Sequence, residues 1–126
     1  MIIFLSYKWE DNSHANGMAG LLNNPNNDYR HITKREREDL RSEGETAWRS
    51  YIRPIVRECD ALICLIGSDT HNATGVIYEL EIANSFGIKI IPVRIPDTRG
   101  GAPSIIRHIE ILNWDAIEIN NELSRR

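Results

Sequence analysis

One segment in the middle of the chain constrains the fold more than any other. Residues 61–66 (ALICLI) are apolar throughout, which is typical of a parallel strand covered on both faces. A short polar loop leads from them into residues 75–86, where apolar side chains recur at helical spacing. Residues 88–95 form another apolar run. Because parallel strands need a crossover connection, this order predicts a β-α-β unit with a right-handed crossover.

The rest of the chain repeats this alternation of apolar runs and helical patterns. Further strands are predicted at residues 2–7, 29–33 and 109–114, and further helices at residues 12–22, 45–56, 103–108 and 115–124. Such alternation is typical of a parallel sheet with helices on both faces. We therefore expect a flavodoxin-like α/β fold, a three-layer sandwich with a five-stranded parallel sheet. With 126 residues and no repeat or linker, residues 1–126 are expected to form one domain.

Two prolines fall inside predicted elements. Pro54 lies in the predicted 45–56 helix, where a proline kinks or breaks the helix because it removes a hydrogen bond. Pro92 lies in the predicted 88–95 strand. Since a proline cannot donate to a β ladder, this strand is expected at the edge of the sheet, or with a bulge at Pro92.

Composition and charge exclude several classes of partner. The net charge of −3 gives no sign of the basic surface that binds nucleic acid. The chain has no apolar run of about 18 residues, and charges at Lys8 and Glu10 interrupt any signal peptide. We therefore expect a cytoplasmic protein that contacts neither nucleic acid nor membrane. Cys59 and Cys64 are too few for a disulfide framework, and Cys64 is interpreted as a small core residue.

Several standard chemistries have no matching pattern here. There is neither a G-x-G-x-x-G motif nor a Walker lysine for phosphates. Ser6 and Ser68 lie at the ends of predicted strands without the flanking glycines of a hydrolase elbow. A phosphoacceptor receiver domain would have paired acids directly after the first strand and an aspartate at the end of the third, whereas Asp69 comes two residues too late. No metal site is expected, because ligand spacing is absent among the four histidines, which are His14, His31, His71 and His108.

The most informative single residue is Glu79, a carboxylate on the core-facing stripe of the predicted 75–86 helix. Apolar side chains otherwise make up that stripe: Val76, Leu80, Ile82, Ala83 and Phe86. Glu81 points to the other side of the helix. A charge on a core-facing stripe is costly unless it is compensated. Either Glu79 is a charge near the helix N-terminus that the helix dipole favours, or it serves a ligand at the sheet's carboxyl edge.

The predicted topology supplies neighbours for Glu79. In a flavodoxin-like strand order, the first strand and the 61–66 strand diverge at the topological switch point, where ligands bind. Five residues at these two strand ends are candidates for lining a pocket below Glu79: Ser6, Tyr7, Lys8, Gly67 and Ser68. Three aromatic residues, Tyr7, Trp9 and Tyr78, offer surfaces that could stack on a base or ribose, or could simply pack in the core or its rim. A carboxylate in such a site suits an oxocarbenium-like transition state, whose positive charge it can stabilise.

Three segments of the chain resemble one family, the TIR-like proteins of bacterial anti-phage systems of the Thoeris type. The segments are residues 3–7 (IFLSY), residues 57–67 (RECDALICLIG), and residues 69–83 together with 87–93. They match the family's first strand, its helix leading into the third strand, and its catalytic-glutamate helix with the fourth strand. The last match is the most specific. This chain departs from the family at Gly75, where relatives commonly carry tryptophan.

The resemblance implies an activity and a set of partners. It makes Glu79 the catalytic glutamate for cleavage of the nicotinamide N-glycosidic bond of NAD+, with NAD+ as substrate and no separate cofactor. The ADP-ribose part would become a cyclic or conjugated signal that activates a separate effector protein during phage infection. Self-association would complete the site. Ser6, Tyr7, Lys8, Gly67, Ser68 and Tyr78 would bind the substrate.

Two other functional classes remain open on the sequence. Domains of this architecture often only assemble with partners, because a fold does not fix a function. The chain would then be a non-enzymatic interaction module. Alternatively, a nucleoside deoxyribosyltransferase-like enzyme also places a glutamate at a sugar carbon on a similar sheet.

Overall fold

The computed structural model describes residues 1–24, 31–35 and 44–125, and its centre is a parallel sheet. The four strands are β1 (Ile2–Ser6), β2 (Ile32–Arg35), β3 (Ala61–Ile66) and β4 (Lys89–Arg94). Their order in the sheet is β2-β1-β3-β4, and each neighbouring pair is parallel. Strand β2 therefore lies on one side of β1, whereas β3 and then β4 lie on its other side. This is the predicted α/β architecture, with its topological switch point between β1 and β3.

Helices cover both faces of the sheet. They are α1 (Asn12–Leu22), α2 (Glu45–Arg57), α3 (Thr74–Ser85) and α4 (Ala116–Ser124). Successive strand side chains point to opposite faces, so the strands supply two cores. Ile3 and Leu5 pack with α1 and α4, whereas Phe4 and Leu62 pack with α2 and α3. The result is the predicted three-layer sandwich.

The predicted fifth strand is reduced to one bridge among the described residues. Leu112 pairs with Val93 in parallel. Its N–H donates to the Pro92 carbonyl over 2.9 Å, and its carbonyl accepts from the Arg94 N–H, also over 2.9 Å. Tight turns flank this residue: the Ile109 N–H donates to the Ile106 carbonyl, and the Asp115 N–H to the Asn113 carbonyl. Because these turns leave so little extended backbone beside β4, five strands are not confirmed.

The edge position predicted for Pro92 is confirmed, and the break predicted at Pro54 is wrong. Backbone groups of alternate residues face opposite sides of a strand. The Ile95 N–H donates to the Ile66 carbonyl of β3, so the backbone groups of residue 95 face β3. Pro92 is three residues earlier and faces the other side, where its carbonyl accepts from the Leu112 N–H. The nitrogen of Pro92 therefore points away from β3. Helix α2 runs through Pro54 to Arg57. Pro54 lies in the last turn, where little helix remains for it to interrupt.

The remaining boundaries differ modestly from the expectations. Strand β2 is described from Ile32 to Arg35, and the predicted start of this strand at residues 29–30 lies outside the described residues. The predicted 103–108 helix is only a 3-10 turn from Ser104 to Ile106. Cys59 and Cys64 are both buried free thiols. In the described parts of the chain, no helix combines the length and the apolar character needed to cross a bilayer.

Candidate functional site

The structure brings Glu79 and Ser6 together in the interior. Glu79 lies on α3 and is only 2% exposed, and Ser6, the last residue of β1, is fully buried. The Ser6 hydroxyl donates to Glu79 Oε1 over 2.7 Å. A hydrogen bond to a charged acceptor is stronger than one between neutral groups, so this contact compensates part of the cost of burying the carboxylate. The two residues are 73 positions apart in sequence, and the sheet topology joins them.

The alternative interpretation of Glu79 as a charge at the helix N-terminus is wrong. Helix α3 begins at Thr74, and its first turn contains no acidic residue. Glu79 lies in the second turn, whereas the helix dipole acts within the first or last turn. Gly75 is the second residue of α3, so the predicted start of this helix at residue 75 is displaced by only one residue. The buried charge of Glu79 is therefore compensated by its contacts, such as the hydrogen bond from Ser6, and not by the helix dipole.

Cys64 is a third member of this cluster, which the sequence identifies only as a core residue. It is fully buried on β3 and is the register partner of Ser6 on β1. Burial raises the pKa of the Cys64 thiol, and the nearby charge of Glu79 raises it further. The thiol is thus neutral and unreactive, and serves as a compact apolar neighbour for Glu79. The pairing of β1 with β3 was the signal that could have revealed it.

Lys8 connects the end of β1 to the loop that follows β3. Its ammonium donates to Asp69 Oδ2 over 2.9 Å and lies 3.7 Å from Glu10 Oε2. The hydrogen bond with Asp69 raises the pKa of Lys8. The same bond, followed by one from Asn72, lowers the pKa of Asp69. Lys8 is therefore charged and engaged with a carboxylate, so a phosphate would have to compete with Asp69 for it.

Gly67 stands where the chain leaves β3 and three segments meet. Its N–H donates to the Thr70 hydroxyl over 2.8 Å. A Cβ at position 67 would lie 2.6 Å from Asp11 Oδ2, so any larger residue here would displace the Asp11 side chain. Burial raises the pKa of this Asp11 carboxyl. Gly67 is buried, while the adjacent Ser68 is exposed, so Ser68 is the accessible residue of the pair.

The candidate aromatic residues are not gathered around Glu79. Tyr7 is 7% exposed and packs in the core beneath α1 and α4, where its hydroxyl donates to Asn12 Oδ1 over 3.3 Å. It therefore lies on the opposite face of the sheet from Glu79. Tyr78 packs against Trp48 of α2, with ring centroids 5.4 Å apart. Trp9 is 36% exposed beyond the end of β1.

A loop after β4 covers the same edge of the sheet. Within it, Gly100 packs so closely on the backbone of Gly67 and Ser68 that a Cβ at position 100 would lie 2.5 Å from the Ser68 carbonyl oxygen. The Thr98 hydroxyl is 3.2 Å from the Ile66 carbonyl oxygen, and Arg94 donates to the Gly100 carbonyl. We call residues 97–101 the covering loop, since they pack over the end of β3.

The Ser6–Glu79 bond can be tested through stability. Ser6→Ala is expected to lower the free energy of unfolding by about 1–3 kcal/mol, because it removes a donor from a buried carboxylate. Ser85→Ala is a matched control, since the Ser85 hydroxyl donates only to the Ile82 carbonyl at the helix end. Thermal and urea melting would measure both variants. If Ser6→Ala changed stability no more than Ser85→Ala, this hydrogen bond would not compensate the charge of Glu79.

The arrangement is a buried carboxylate at the carboxyl edge of a parallel sheet, with no metal centre among the described residues. The search of curated proteins gives no match to this chain. A family model for the TIR domain matches residues 3–123, which include Ser6, Glu79 and the covering loop. The chain therefore belongs to the TIR domain family.

Proposed function

We propose that this TIR domain cleaves NAD+ and that Glu79 is its catalytic residue. The observation that carries the proposal is the buried Glu79 carboxylate, oriented by the Ser6 hydroxyl at 2.7 Å. It lies beside the switch point between β1 and β3, where open α/β sheets bind ligands. A carboxylate held in a fixed orientation can stabilise positive charge as it develops.

The reaction follows from this chemistry. The bond between the nicotinamide nitrogen and the ribose carbon breaks, and its electron pair leaves with neutral nicotinamide. Positive charge develops on the ribose, where the Glu79 carboxylate would stabilise it or hold a ribose hydroxyl. Water, or a nucleophile within the ADP-ribose itself, then bonds to that carbon and releases a proton. The second route gives a cyclic product, which we propose is the signal for a separate effector in anti-phage defence of the Thoeris type.

The candidate pocket residues are proposed to take different roles. Gly67 and Ser68 are proposed to approach the ribose or phosphate through their backbone, and Lys8 through an ammonium released from Asp69. Ser6 is a positioning residue, because it acts through Glu79. Tyr7 packs on the other face of the sheet, so it is proposed to support the end of β1. Tyr78 directly precedes Glu79 in the sequence and is half-buried. It remains the candidate for aromatic contact with the substrate.

The burial of Glu79 adds a requirement for access. A carboxylate that is 2% exposed cannot touch a ribose until the neighbouring segments open. The covering loop and the Lys8–Asp69 pair lie at the same edge of the sheet and are the candidates for such movement. We propose that self-association or a phage-derived trigger opens the site, and that the isolated chain is nearly inactive.

The test is nicotinamide release from NAD+, followed by chromatography over a series of protein concentrations, with and without lysate from phage-infected cells. The rate per protomer is expected to rise with concentration or with lysate. A constant, substantial rate in dilute monomer would contradict the requirement for opening. A parallel reaction with a deoxynucleoside separates the deoxyribosyltransferase alternative, which predicts transfer of the base and no nicotinamide.

A second candidate function is that of a non-enzymatic TIR interaction module. The near-complete burial of Glu79 favours it, because a buried and hydrogen-bonded carboxylate can have a purely structural role. Absence of NAD+ turnover at every concentration and with every lysate would support this function. In that case Glu79→Gln would alter melting but no reaction.

A further inference from the structure

The outer side of α2 carries arginines over an exposed aromatic ring at the end of α3. The guanidinium carbon of Arg53 lies 5.1 Å from the Phe86 ring centroid, and that of Arg57 lies 5.5 Å from it. Phe86 was expected on the core-facing stripe, but it caps the helix and is 37% exposed. Together Arg53, Arg57 and Phe86 form what we call the Arg–Phe surface.

The Arg–Phe surface has uncompensated charge. Within residues 1–24, 31–35 and 44–125, no carboxylate lies within ion-pair distance of Arg53 or Arg57. The two residues are one helical turn apart, about 5–6 Å between Cβ atoms. Both guanidiniums already rest on one ring, which restricts their motion and lowers the entropy lost on binding. This surface suits a partner that offers a carboxylate next to an apolar side chain.

The opposite side of the molecule offers that combination. Ile117 on α4 is 72% exposed, the largest value among the exposed large apolar residues described. Its neighbour Glu118 accepts a hydrogen bond from Asn113 Nδ2 over 3.2 Å. Glu118 has no cationic partner in the described part of the chain. We call Ile117 and Glu118 the Ile–Glu surface. Helix α4 covers the other face of the sheet from α2, so one molecule cannot bring its two surfaces together.

We propose that the Arg–Phe surface of one copy binds the Ile–Glu surface of a second copy. Ile117 packs on the Phe86 ring, and the Glu118 carboxylate accepts charge-assisted hydrogen bonds from the guanidiniums of Arg53 and Arg57, which are stronger than hydrogen bonds between neutral groups. Because the chain has a net charge of −3, nonspecific contact between copies is repulsive, and the attraction is confined to these complementary surfaces. The contact is head-to-tail, so it extends into open arrays unless its rotation closes a ring. This inference gives the surfaces for the self-association within the proposed function, and it does not depend on NAD+ cleavage.

Sedimentation velocity of the whole chain tests the proposal, from about 1 μM to about 1 mM protein, the range of weak protein contacts. The wild type is expected to form larger species as concentration rises, and added salt is expected to weaken them. Arg53→Glu and Glu118→Arg should each weaken association on the order of 10-fold or more, because each places like charges together. Arg107→Glu is the matched control, since it reverses an exposed arginine outside both surfaces and should leave association unchanged.

Charge restoration is the decisive measurement. An equimolar mixture of Arg53→Glu and Glu118→Arg should associate more strongly than either variant alone, because each supplies the charge that the other lacks. Monomer at every concentration of wild type would overturn the proposal, and would leave the Arg–Phe surface to an acidic partner protein. Equal weakening by Arg107→Glu, or no restoration in the mixture, would also overturn it. No readout involves NAD+, so failure here is separate from failure of the proposed function.

Discussion

Replacement of Glu79 by glutamine is expected to reduce nicotinamide release on the order of 100-fold or more. Glutamine keeps the shape of the side chain and can still accept from the Ser6 hydroxyl, but it carries no negative charge. Loss of one preorganised charge-stabilising group has an effect of this size in other enzymes. The measurement is NAD+ turnover under conditions in which the wild type is active, with product identified by chromatography.

The control for Glu79→Gln is Glu81→Gln on the same helix. Glu81 is exposed, so its replacement should change the rate little. Both variants need thermal melting as well, because Glu79 is buried among the residues that pack α3 on the sheet. Wild-type turnover in Glu79→Gln would remove the catalytic assignment. A fall in rate matched by loss of folded protein would make the effect structural.

The sequence predicted those features that depend on local periodicity. Helical spacing placed Glu79 among core residues, and the structure shows it buried. The alternation of strands and helices predicted the switch point between β1 and β3, and hence the meeting of Ser6 with Glu79. Both predictions need only the chain's own period and the general rules of parallel sheets.

Other features were predicted wrongly, some because their determinants are distant in the sequence and some because a local pattern was extended past the residues to which it applies. Tyr7 was grouped with Ser6, although the period of two in a strand sends neighbouring side chains to opposite faces. Cys64 joins the cluster only through the register of two strands. The fifth strand shrank to a bridge at Leu112 because turns on each side limit it. Phe86 continues the helical spacing of the core-facing residues of α3, but it follows the last residue of that helix. Helical spacing therefore no longer determines whether its side chain is buried.

A loop is predictable at residues 97–102 from its glycines, but the contact that holds the covering loop in place is not, because that contact joins two glycine-containing loops from different parts of the chain. Gly100 lies against the carbonyl groups of Gly67 and Ser68. Backbone atoms cannot rotate out of the way as a long side chain can. Any residue larger than glycine at position 100 must therefore lift the loop from the end of β3.

Gly100→Ala is accordingly expected to lower the free energy of unfolding by about 1–3 kcal/mol, as overpacking does elsewhere. For a domain of this size that corresponds to a fall in melting temperature of roughly 5–10 °C. Gly101→Ala is a matched control one residue away. A Cβ at position 101 has no atom within 4 Å, so this variant should be neutral or slightly more stable, because alanine restricts the unfolded chain.

The same pair of variants tests whether the covering loop controls access to Glu79. If it does, lifting the loop in Gly100→Ala should raise NAD+ turnover per folded protomer at low protein concentration, where the wild type is expected to be nearly inactive. Gly101→Ala should leave turnover unchanged. Melting is measured at the same time, so a change in rate can be separated from a change in folded fraction. Equal stability of the two variants would mean that the covering loop does not hold Gly100 against β3, and the site would have to open by another movement.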